Sequence, residues 1–210
     1  MLYLDQSIKK YLDDLSAKLP APGGGSVAAL TGALSAGLIS MVCNFTIGNP
    51  KFISSEKEVG GILSSANGIK LEMSKLIDED ARVYSKLSLV LKLPKDTGEQ
   101  KASREIAVQK ALKEAMEVPL CIAKLSYVLI ESCSCLLEIG NPGLITDTGM
   151  AAILAFSAME SARLNVEINL AGIKDEIFKA KIRFEINPLV EKSKLIRDEI
   201  VKKTEAQVIK

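Results

Sequence analysis

The chain contains no histidine. Without that residue, neither a Ser-His-Asp or Cys-His nucleophile nor a histidine-ligated metal can be built. Acid–base chemistry near neutral pH then falls to a carboxylate, lysine, tyrosine or cysteine with a perturbed pKa. The sequence therefore directs attention to ionisable side chains that stand in apolar surroundings.

Tryptophan is also absent, aromatic residues make up 4% of the 210 residues, and the net charge is +1. So few aromatic side chains offer no stacking platform for bases, and so little net charge gives no attraction to nucleic acid or to an anionic membrane. The uncharged run from Val27 to Pro50 is long enough to span a bilayer, but its many small and polar residues make it only mildly hydrophobic. We expect no second segment to qualify as a membrane span. We expect no nucleic acid or membrane partner, and we favour the central helix of a soluble bundle.

The four cysteines are Cys43, Cys121, Cys133 and Cys135, and none forms a Cys-x-x-Cys pair. Their apolar, helical contexts predict buried and inert thiols in a reducing cytoplasm. The first residues form an amphipathic pattern without a continuous apolar stretch, which is not typical of a signal peptide. We expect a cytoplasmic protein with a single domain over residues 1–210.

A glycine triplet marks the most distinctive stretch of the chain: Gly23, Gly24 and Gly25 precede Ser26 and a long uncharged segment. Glycine lets the backbone turn sharply and approach another surface closely. Ser26 is a good candidate for a helix N-cap, and a helix start of this kind offers free N–H groups to an anion or a carbonyl oxygen. We predict a helix over residues 26–47 that is apolar, and therefore buried, on all sides. Its small side chains form two stripes: Ala28, Gly32, Ala36 and Ser40, and Ala29, Ala33 and Gly37.

Residues 59–90 carry apolar side chains at steps of three and four, which predicts a long helix with a coiled-coil-like seam. Asp80 occupies one of the seam positions, whereas Asp78 and Glu79 are expected to face solvent. An aspartate on a seam is desolvated, and desolvation raises its pKa. Spacing alone leaves two interpretations open: Asp80 caps a neighbouring helix or pairs with a cation, or it is a functional carboxylate.

The remaining segments also have helical patterns. Asn165 and Asn169 lie one turn apart, either as a satisfied core network or as a surface that reads a substrate. No stretch alternates as a strand does, so we predict an all-α bundle of about six to eight orthogonal or antiparallel helices around the small-residue helix. The further helices are predicted over residues 2–18, over 98–117 with a capping box at Thr97 and Gln100, over 120–139 after a kink or restart at Pro119, over 148–171 with Thr146 or Asp147 as cap, and over 174–187 and 188–208 with a bend at Pro188.

Several blocks of the sequence resemble one family, in order and over nearly the whole chain. This is the cyclodeaminase/cyclohydrolase family, which comprises the C-terminal half of formiminotransferase-cyclodeaminase and its free-standing relatives. The glycine-rich block and the Leu-Pro-Lys element are the most specific parts of the match. The blocks read PAPGGGSVAALTGAL, LIDEDARVY, LKLPKDTGEQKASREIAVQKALKEAMEVPL and GNPGLITDTGMAA leading to LNVEIN.

The resemblance implies an all-helical homodimer whose active sites lie at the dimer interface. It implies a tetrahydrofolate derivative as substrate, no tightly bound cofactor and no metal. The deaminase closes 5-formiminotetrahydrofolate to 5,10-methenyltetrahydrofolate and releases ammonia, and the cyclohydrolase interconverts the methenyl and 10-formyl forms. The residues do not separate these reactions, although the missing transferase half favours the cyclohydrolase.

The resemblance also implies roles for particular residues. The family's catalytic aspartate matches Asp80, the residue that the periodicity singles out. An alternative is a non-catalytic helical dimer that binds folate or serves in assembly, and it predicts a filled or absent pocket around Asp80. The positions that match the family's substrate-binding residues are Gly23, Gly24, Gly25, Ser26, Lys95, Asn141, Asp147, Asn165 and Asn169.

Overall fold

The computed structural model describes residues 2–209, and this part of the chain contains helices and no β-strand. The predicted all-α bundle is confirmed, with six α-helices and three 3₁₀ turns at Tyr3–Asp5, Pro50–Ser55 and Pro142–Leu144. The α-helices are α1 (Ile8–Ser16), α2 (Gly24–Thr46), α3 (Glu56–Leu91), α4 (Gly98–Ile139), α5 (Ile145–Gly172) and α6 (Glu176–Val208).

Helix α2 lies at the centre of the bundle and packs against α3, α4 and α5. The Ser35 hydroxyl donates a hydrogen bond to the Ala151 carbonyl at 2.8 Å, and Gly24 lies beside Asn165, so α2 and α5 run antiparallel. Small side chains allow this close approach of two helix backbones. Fully buried alanines occur in both helices: Ala28, Ala29 and Ala36 of α2 and Ala151, Ala152 and Ala155 of α5.

The burial of α2 is not complete, because Leu34 and Phe45 are 55% and 62% exposed. The prediction of a helix buried on all sides is therefore wrong for this face. The predicted cap is wrong as well: Gly23 is the N-cap, and Ser26 lies inside the first turn. The helix begins at Gly24, two residues before Ser26, so Ser26 lies in the buried first turn and not at the cap.

Two other helix starts test the sequence predictions. The capping box is confirmed, since the Gln100 N–H donates to the Thr97 hydroxyl and the Thr97 N–H donates to the Gln100 side chain, both at 3.2 Å. Thr146 and Asp147 do not cap α5, which begins at Ile145. A 3₁₀ turn leads directly into α5, so both residues lie in its first turn.

The interior prolines do not interrupt their helices. Helix α4 continues through Pro119, so of the predicted kink or restart the restart is wrong, and α6 continues through Pro188 as one helix. The two helices contain 42 and 33 residues. Contacts with other helices hold these long helices together despite the lost hydrogen bonds. The first predicted helix is shorter than expected, because a 3₁₀ turn and the capping residue Ser7 precede α1.

By length and composition alone, three helical segments are apolar enough to cross a membrane: Gly24–Thr46, Gly98–Ile139 and Pro142–Gly172. The expectation that only the first run would qualify is wrong by this criterion. The three segments pack against one another and bury 56%, 44% and 39% of their most apolar windows. The absence of a membrane partner stays a prediction.

Two of the four cysteines lie where the sequence predicts. Cys43 and Cys133 are buried, and burial raises the pKa of both thiols, that of Cys43 to about 11. Cys121 is half-buried, and Cys135 is exposed, which contradicts the prediction of burial. Desolvation, followed by nearby carboxylates, still raises the pKa of the Cys121 and Cys135 thiols. All four thiols are therefore protonated and weakly nucleophilic at neutral pH.

Candidate active site

A cavity of about 450 Å³ opens at the N-terminal end of α2, and we call it the Asp80 cavity. The glycine-rich loop forms one wall, and α3, α4 and α5 form the others. Most of its surface is apolar, so the few polar groups in it are conspicuous. The cavity is lined by Leu19, Pro20, Ala21, Pro22, Gly23, Gly24, Gly25, Asp80, Val83, Tyr84, Leu87, Leu112, Ala115, Pro119, Asn165, Ile168 and Asn169.

Asp80 extends from α3 to the first turn of α2, where its Oδ2 accepts a hydrogen bond from the Ser26 N–H at 2.9 Å. The first turn of a helix has unpaired N–H groups and favours a negative charge. Asp80 thus caps a neighbouring helix, as one of the two interpretations held. No lysine or arginine among residues 2–209 pairs with it, so nothing neutralises its charge.

The contact between Asp80 and α2 requires glycine at position 25. A Cβ atom built on Gly25 lies 2.0 Å from the Asp80 Oδ1 and 2.5 Å from its Cγ, far inside van der Waals contact. A Cβ on Gly24 approaches Asn165 only to 3.7 Å, and one on Gly23 meets nothing within 4 Å. Of the three glycines, only Gly25 must be glycine to avoid a steric clash with a neighbouring side chain.

Two opposing effects set the pKa of Asp80. Burial of the carboxyl raises its pKa, the Ser26 N–H lowers it, and burial prevails. The other ionisable groups nearby are the tyrosine hydroxyls of Tyr84 in the cavity wall and Tyr11 behind Ser26. A carboxyl with a raised pKa holds its proton more readily than an ordinary carboxyl does, which suits a general acid–base.

The two asparagines lie on the opposite wall of the Asp80 cavity. The Nδ2 of Asn165 donates to the Ser161 carbonyl at 2.9 Å, and that of Asn169 donates to the Asn165 carbonyl at 2.8 Å. No donor among residues 2–209 reaches the two Oδ1 atoms. Each side chain is thus tied to its own helix through the amide nitrogen and has a free acceptor at the cavity.

The N-terminal segment braces this site in a way that the sequence analysis missed. Tyr11 is only 6% exposed, and its hydroxyl lies 3.0 Å from the Ser26 hydroxyl. The Tyr3 hydroxyl donates to the Ala21 carbonyl at 3.1 Å. Asp78 accepts from the backbone N–H of Tyr3 and of the residue after it, so the prediction of a solvated Asp78 is wrong. The sequence contained one sign of this contact: two of the four tyrosines of an aromatic-poor chain lie in its first 11 residues.

The structure does not bring all the predicted residues together. The cavity wall contains the triplet, Asp80 and both asparagines, while Ser26 is buried behind it and contributes its N–H. Lys95 lies in the exposed loop between α3 and α4. Asn141 bonds to Thr46 and Phe45 at the far end of α2, and Asp147 follows in α5. A helix of 23 residues is about 34 Å long, so one chain cannot unite both ends of α2 in one site.

Fold and cavity together define a helical bundle whose polar centre is one carboxylate without a cationic partner. The chain belongs to the formiminotransferase-cyclodeaminase family, whose sequence profile matches residues 7–188. It is 33% identical to the methenyltetrahydrofolate cyclohydrolase of Methylorubrum extorquens over 204 residues, which are 97% of this chain and 98% of that one. The resemblance inferred from the sequence blocks is confirmed.

Two further comparisons agree. The chain is 34% identical to the formimidoyltransferase-cyclodeaminase of Rattus norvegicus over 191 residues, which are 91% of this chain and 35% of that longer protein. The crystal structure of the formiminotetrahydrofolate cyclodeaminase of Thermotoga maritima superposes with a TM-score of 0.79 at 27% identity, covering 97% of this chain and 96% of that one.

Replacing Gly25 by Ala should displace the Asp80 carboxyl and break its hydrogen bond to the Ser26 N–H, because the new methyl group occupies the position of Oδ1. The Ser26 amide shift in ¹H–¹⁵N NMR spectra should follow the Asp80 titration in the wild type and lose that dependence in the variant. Gly24→Ala is the matched control and should keep it. A Ser26 shift that titrates equally in both variants would contradict the close contact.

The raised pKa of Asp80 gives the stability a definite pH dependence. Folded chains hold this proton to higher pH than unfolded chains, so the free energy of unfolding should fall as pH rises from about 3.9, the usual pKa of unfolded Asp, to the folded pKa. The Asp80→Asn variant has no carboxyl to ionise at this position, so its free energy of unfolding should not fall in this way. It should therefore be the more stable protein at neutral pH. Urea unfolding of both proteins at several pH values measures the difference; a wild type that gains stability over the variant as pH rises would refute the assignment.

Proposed function

We propose that this protein is a folate one-carbon enzyme, a methenyltetrahydrofolate cyclohydrolase, a formiminotetrahydrofolate cyclodeaminase or both, with Asp80 as its general acid–base. The observation that carries the proposal is the half-buried Asp80 carboxyl, held by one backbone N–H in an open cavity with no cation beside it. Membership of the family and the names of the relatives supply the substrate class.

In the cyclodeaminase reaction, N10 of 5-formiminotetrahydrofolate attacks the formimino carbon. The formimino group reacts in its protonated, amidinium form, and the Asp80 carboxylate takes the proton from N10 as the new C–N bond forms. The carboxyl then gives that proton to the departing NH2 group, the C–N bond to that group breaks, and neutral ammonia leaves as the cationic methenyl bridge is completed. One group with a pKa raised toward neutrality serves both transfers.

In the cyclohydrolase reaction, water attacks the methenyl carbon and Asp80 takes a proton from it. The bond between that carbon and N5 breaks, the hydroxyl proton is transferred to N5, and the 10-formyl product forms with net release of one proton. Both reactions thus require a carboxylate at the same place, beside the carbon between N5 and N10. The two activities are best compared directly in one preparation.

The remaining polar groups of the Asp80 cavity suit the pterin ring. The N–H groups of Gly24 and Gly25 have no partner among residues 2–209 and can donate to a ring carbonyl. The Oδ1 atoms of Asn165 and Asn169 can accept from ring N–H groups. A filled pocket is the expectation for a non-catalytic module, and the open cavity counts against that alternative.

We propose that Lys95 binds the far end of the substrate. Helix α3 rises about 16 Å from Asp80 to Leu91, and Lys95 follows four residues later. Folate is an elongated molecule with a glutamate at the end opposite the pterin. A cation at this distance from Asp80 would meet the glutamate carboxylates rather than the ring, and would act as a point charge.

We further propose a homodimer that buries the outer face of α2 and α5. Exposed apolar side chains of both helices line this face without a charge among them, as is typical of an interface. Ile168 belongs both to the face and to the cavity wall, so the face continues into the site. The face comprises Leu34 and Phe45 of α2 and Met150, Ile153, Leu164 and Ile168 of α5.

A two-fold axis through this face would explain the distant residues. Two copies of α2 that cross in antiparallel fashion bring the C-terminal end of one helix to the N-terminal end of the other. Asn141 and Asp147 of one copy would then lie near the Asp80 cavity of the second. This arrangement accounts for family positions that are about 34 Å from Asp80 within one chain.

Asp80→Asn should lower the turnover of methenyltetrahydrofolate at least 100-fold, because general acid–base catalysis contributes about that much or more. Loss of the substrate's ultraviolet band measures the reaction, and 5-formiminotetrahydrofolate is assayed beside it. The matched control is Glu79→Gln, which removes the neighbouring carboxylate that pairs with Arg82 at the surface. Equal activity of the Asn variant and the wild type would rule out catalysis by Asp80.

Leu34→Glu and Leu164→Glu should each convert the dimer into monomers, because a charge in the centre of an apolar interface has no partner. Sedimentation equilibrium should give twice the chain mass for the wild type and a single chain mass for these variants. Leu195→Glu, on the exposed side of α6, should remain dimeric. A monomeric wild type would remove the proposed interface.

A further inference from the structure

Two prolines stand in helix interiors of residues 2–209, and they differ in their surroundings. Proline has no N–H, so each leaves the carbonyl four residues earlier without its helical partner, and the ring pushes that carbonyl away from the axis. In α6, Pro188 frees the carbonyl of Phe184, a residue that is 84% exposed. In α4, Pro119 frees the carbonyl of Ala115, a residue that is only 7% exposed.

The residues on both sides of the freed carbonyl line the Asp80 cavity. Ala115 and Pro119 both line that cavity, and residues four apart share one face of a helix, so the carbonyl between them is on the cavity side. No side chain among residues 2–209 donates a hydrogen bond to it, and the adjacent lining residue Leu112 is apolar. A buried acceptor without a donor is costly unless a ligand or water supplies one.

Apart from the Tyr84 hydroxyl, which can donate or accept, the free polar groups of the side chains around the cavity are acceptors as well. The Asp80 carboxylate and the Oδ1 atoms of Asn165 and Asn169 point to a ligand that is rich in N–H groups. A reduced pterin has ring N–H groups and an amino group, whereas the aminobenzoyl part of a folate has few donors. A carbonyl that cannot rotate away from the wall would therefore favour one orientation of the ring.

We propose that the Ala115 carbonyl, freed by Pro119, is a substrate-binding acceptor for an N–H group of the pterin ring. The inference rests on the proposed folate substrate and adds a specificity element that no side chain provides. It assigns to Pro119 a role in recognition, at the expense of helix stability. Proline leaves the Ala115 carbonyl free because it has no N–H. Any other amino acid at position 119 would donate its N–H to this carbonyl and occupy the acceptor.

The test compares Pro119→Ala with the matched control Pro188→Ala. Both changes restore a helical hydrogen bond and should raise the melting temperature, so neither result can be explained by misfolding. Isothermal titration calorimetry with tetrahydrofolate, under anaerobic conditions, should show a Kd about five to ten times higher for Pro119→Ala, the usual effect of one lost hydrogen bond. Pro188→Ala should bind like the wild type.

A second substitution at position 119 distinguishes an effect of the free Ala115 carbonyl from an effect of the helix shape that proline imposes. Lactic acid at position 119, introduced by nonsense suppression, has the size of alanine but an ester oxygen in place of the N–H. It should bind tetrahydrofolate as the wild type does, because the Ala115 carbonyl stays free. Equal weakening by alanine and lactic acid would assign the effect to the proline ring and overturn the proposal.

The remaining outcomes are also decisive. Unchanged affinity in Pro119→Ala overturns the proposed acceptor, whatever the activity. If the wild type binds tetrahydrofolate but turns over neither folate substrate, the proposed enzymatic function is refuted. A lower affinity of Pro119→Ala for tetrahydrofolate would still support the proposed acceptor in that case. A wild type that does not bind tetrahydrofolate would refute both.

Discussion

The structure depends on one close contact, between the Asp80 carboxyl of α3 and the first turn of α2. The contact exists because Gly25 has no side chain and because the Ser26 N–H is free to donate at that turn. The surrounding chain holds this turn in place: Tyr11 bonds to the Ser26 hydroxyl from one side, and α5 packs along α2 from the other. A change in any of these elements moves the carboxyl, since interiors are packed too tightly to absorb it.

The same contact tunes the chemistry. Burial alone would favour the neutral acid strongly, and full hydration would leave an ordinary carboxylate. Partial burial with one backbone N–H as partner lies between these extremes: the pKa of Asp80 is raised, and the charged form still has a hydrogen-bond donor. An acid–base that must take a proton and return it needs this balance, and a lysine or arginine beside Asp80 would remove it by stabilising the anion.

Periodicity found the helices and singled out Asp80, because both depend on local spacing of apolar residues. It could not find the hydrogen bonds between Tyr3 and Asp78, which are 75 residues apart, and it placed Asp78 wrongly in solvent. The helix starts at Ser26 and Asp147 were also wrong, since glycines and a 3₁₀ turn extended both helices toward the N-terminus. The grouping of Asn165 with Asp80 followed from the antiparallel packing of α2 and α5, which no local pattern encodes.

If Asp80 is the general acid–base, its carboxyl must reach the reacting nitrogens of a bound folate. A crystal structure of the protein with tetrahydrofolate would show whether it does. We expect a carboxylate oxygen about 2.6–3.2 Å from N5 or N10, directly or through one water, with the pterin against the wall that contains Asn165. A folate bound outside this cavity, with Asp80 still bonded only to the Ser26 N–H, would exclude this role of Asp80.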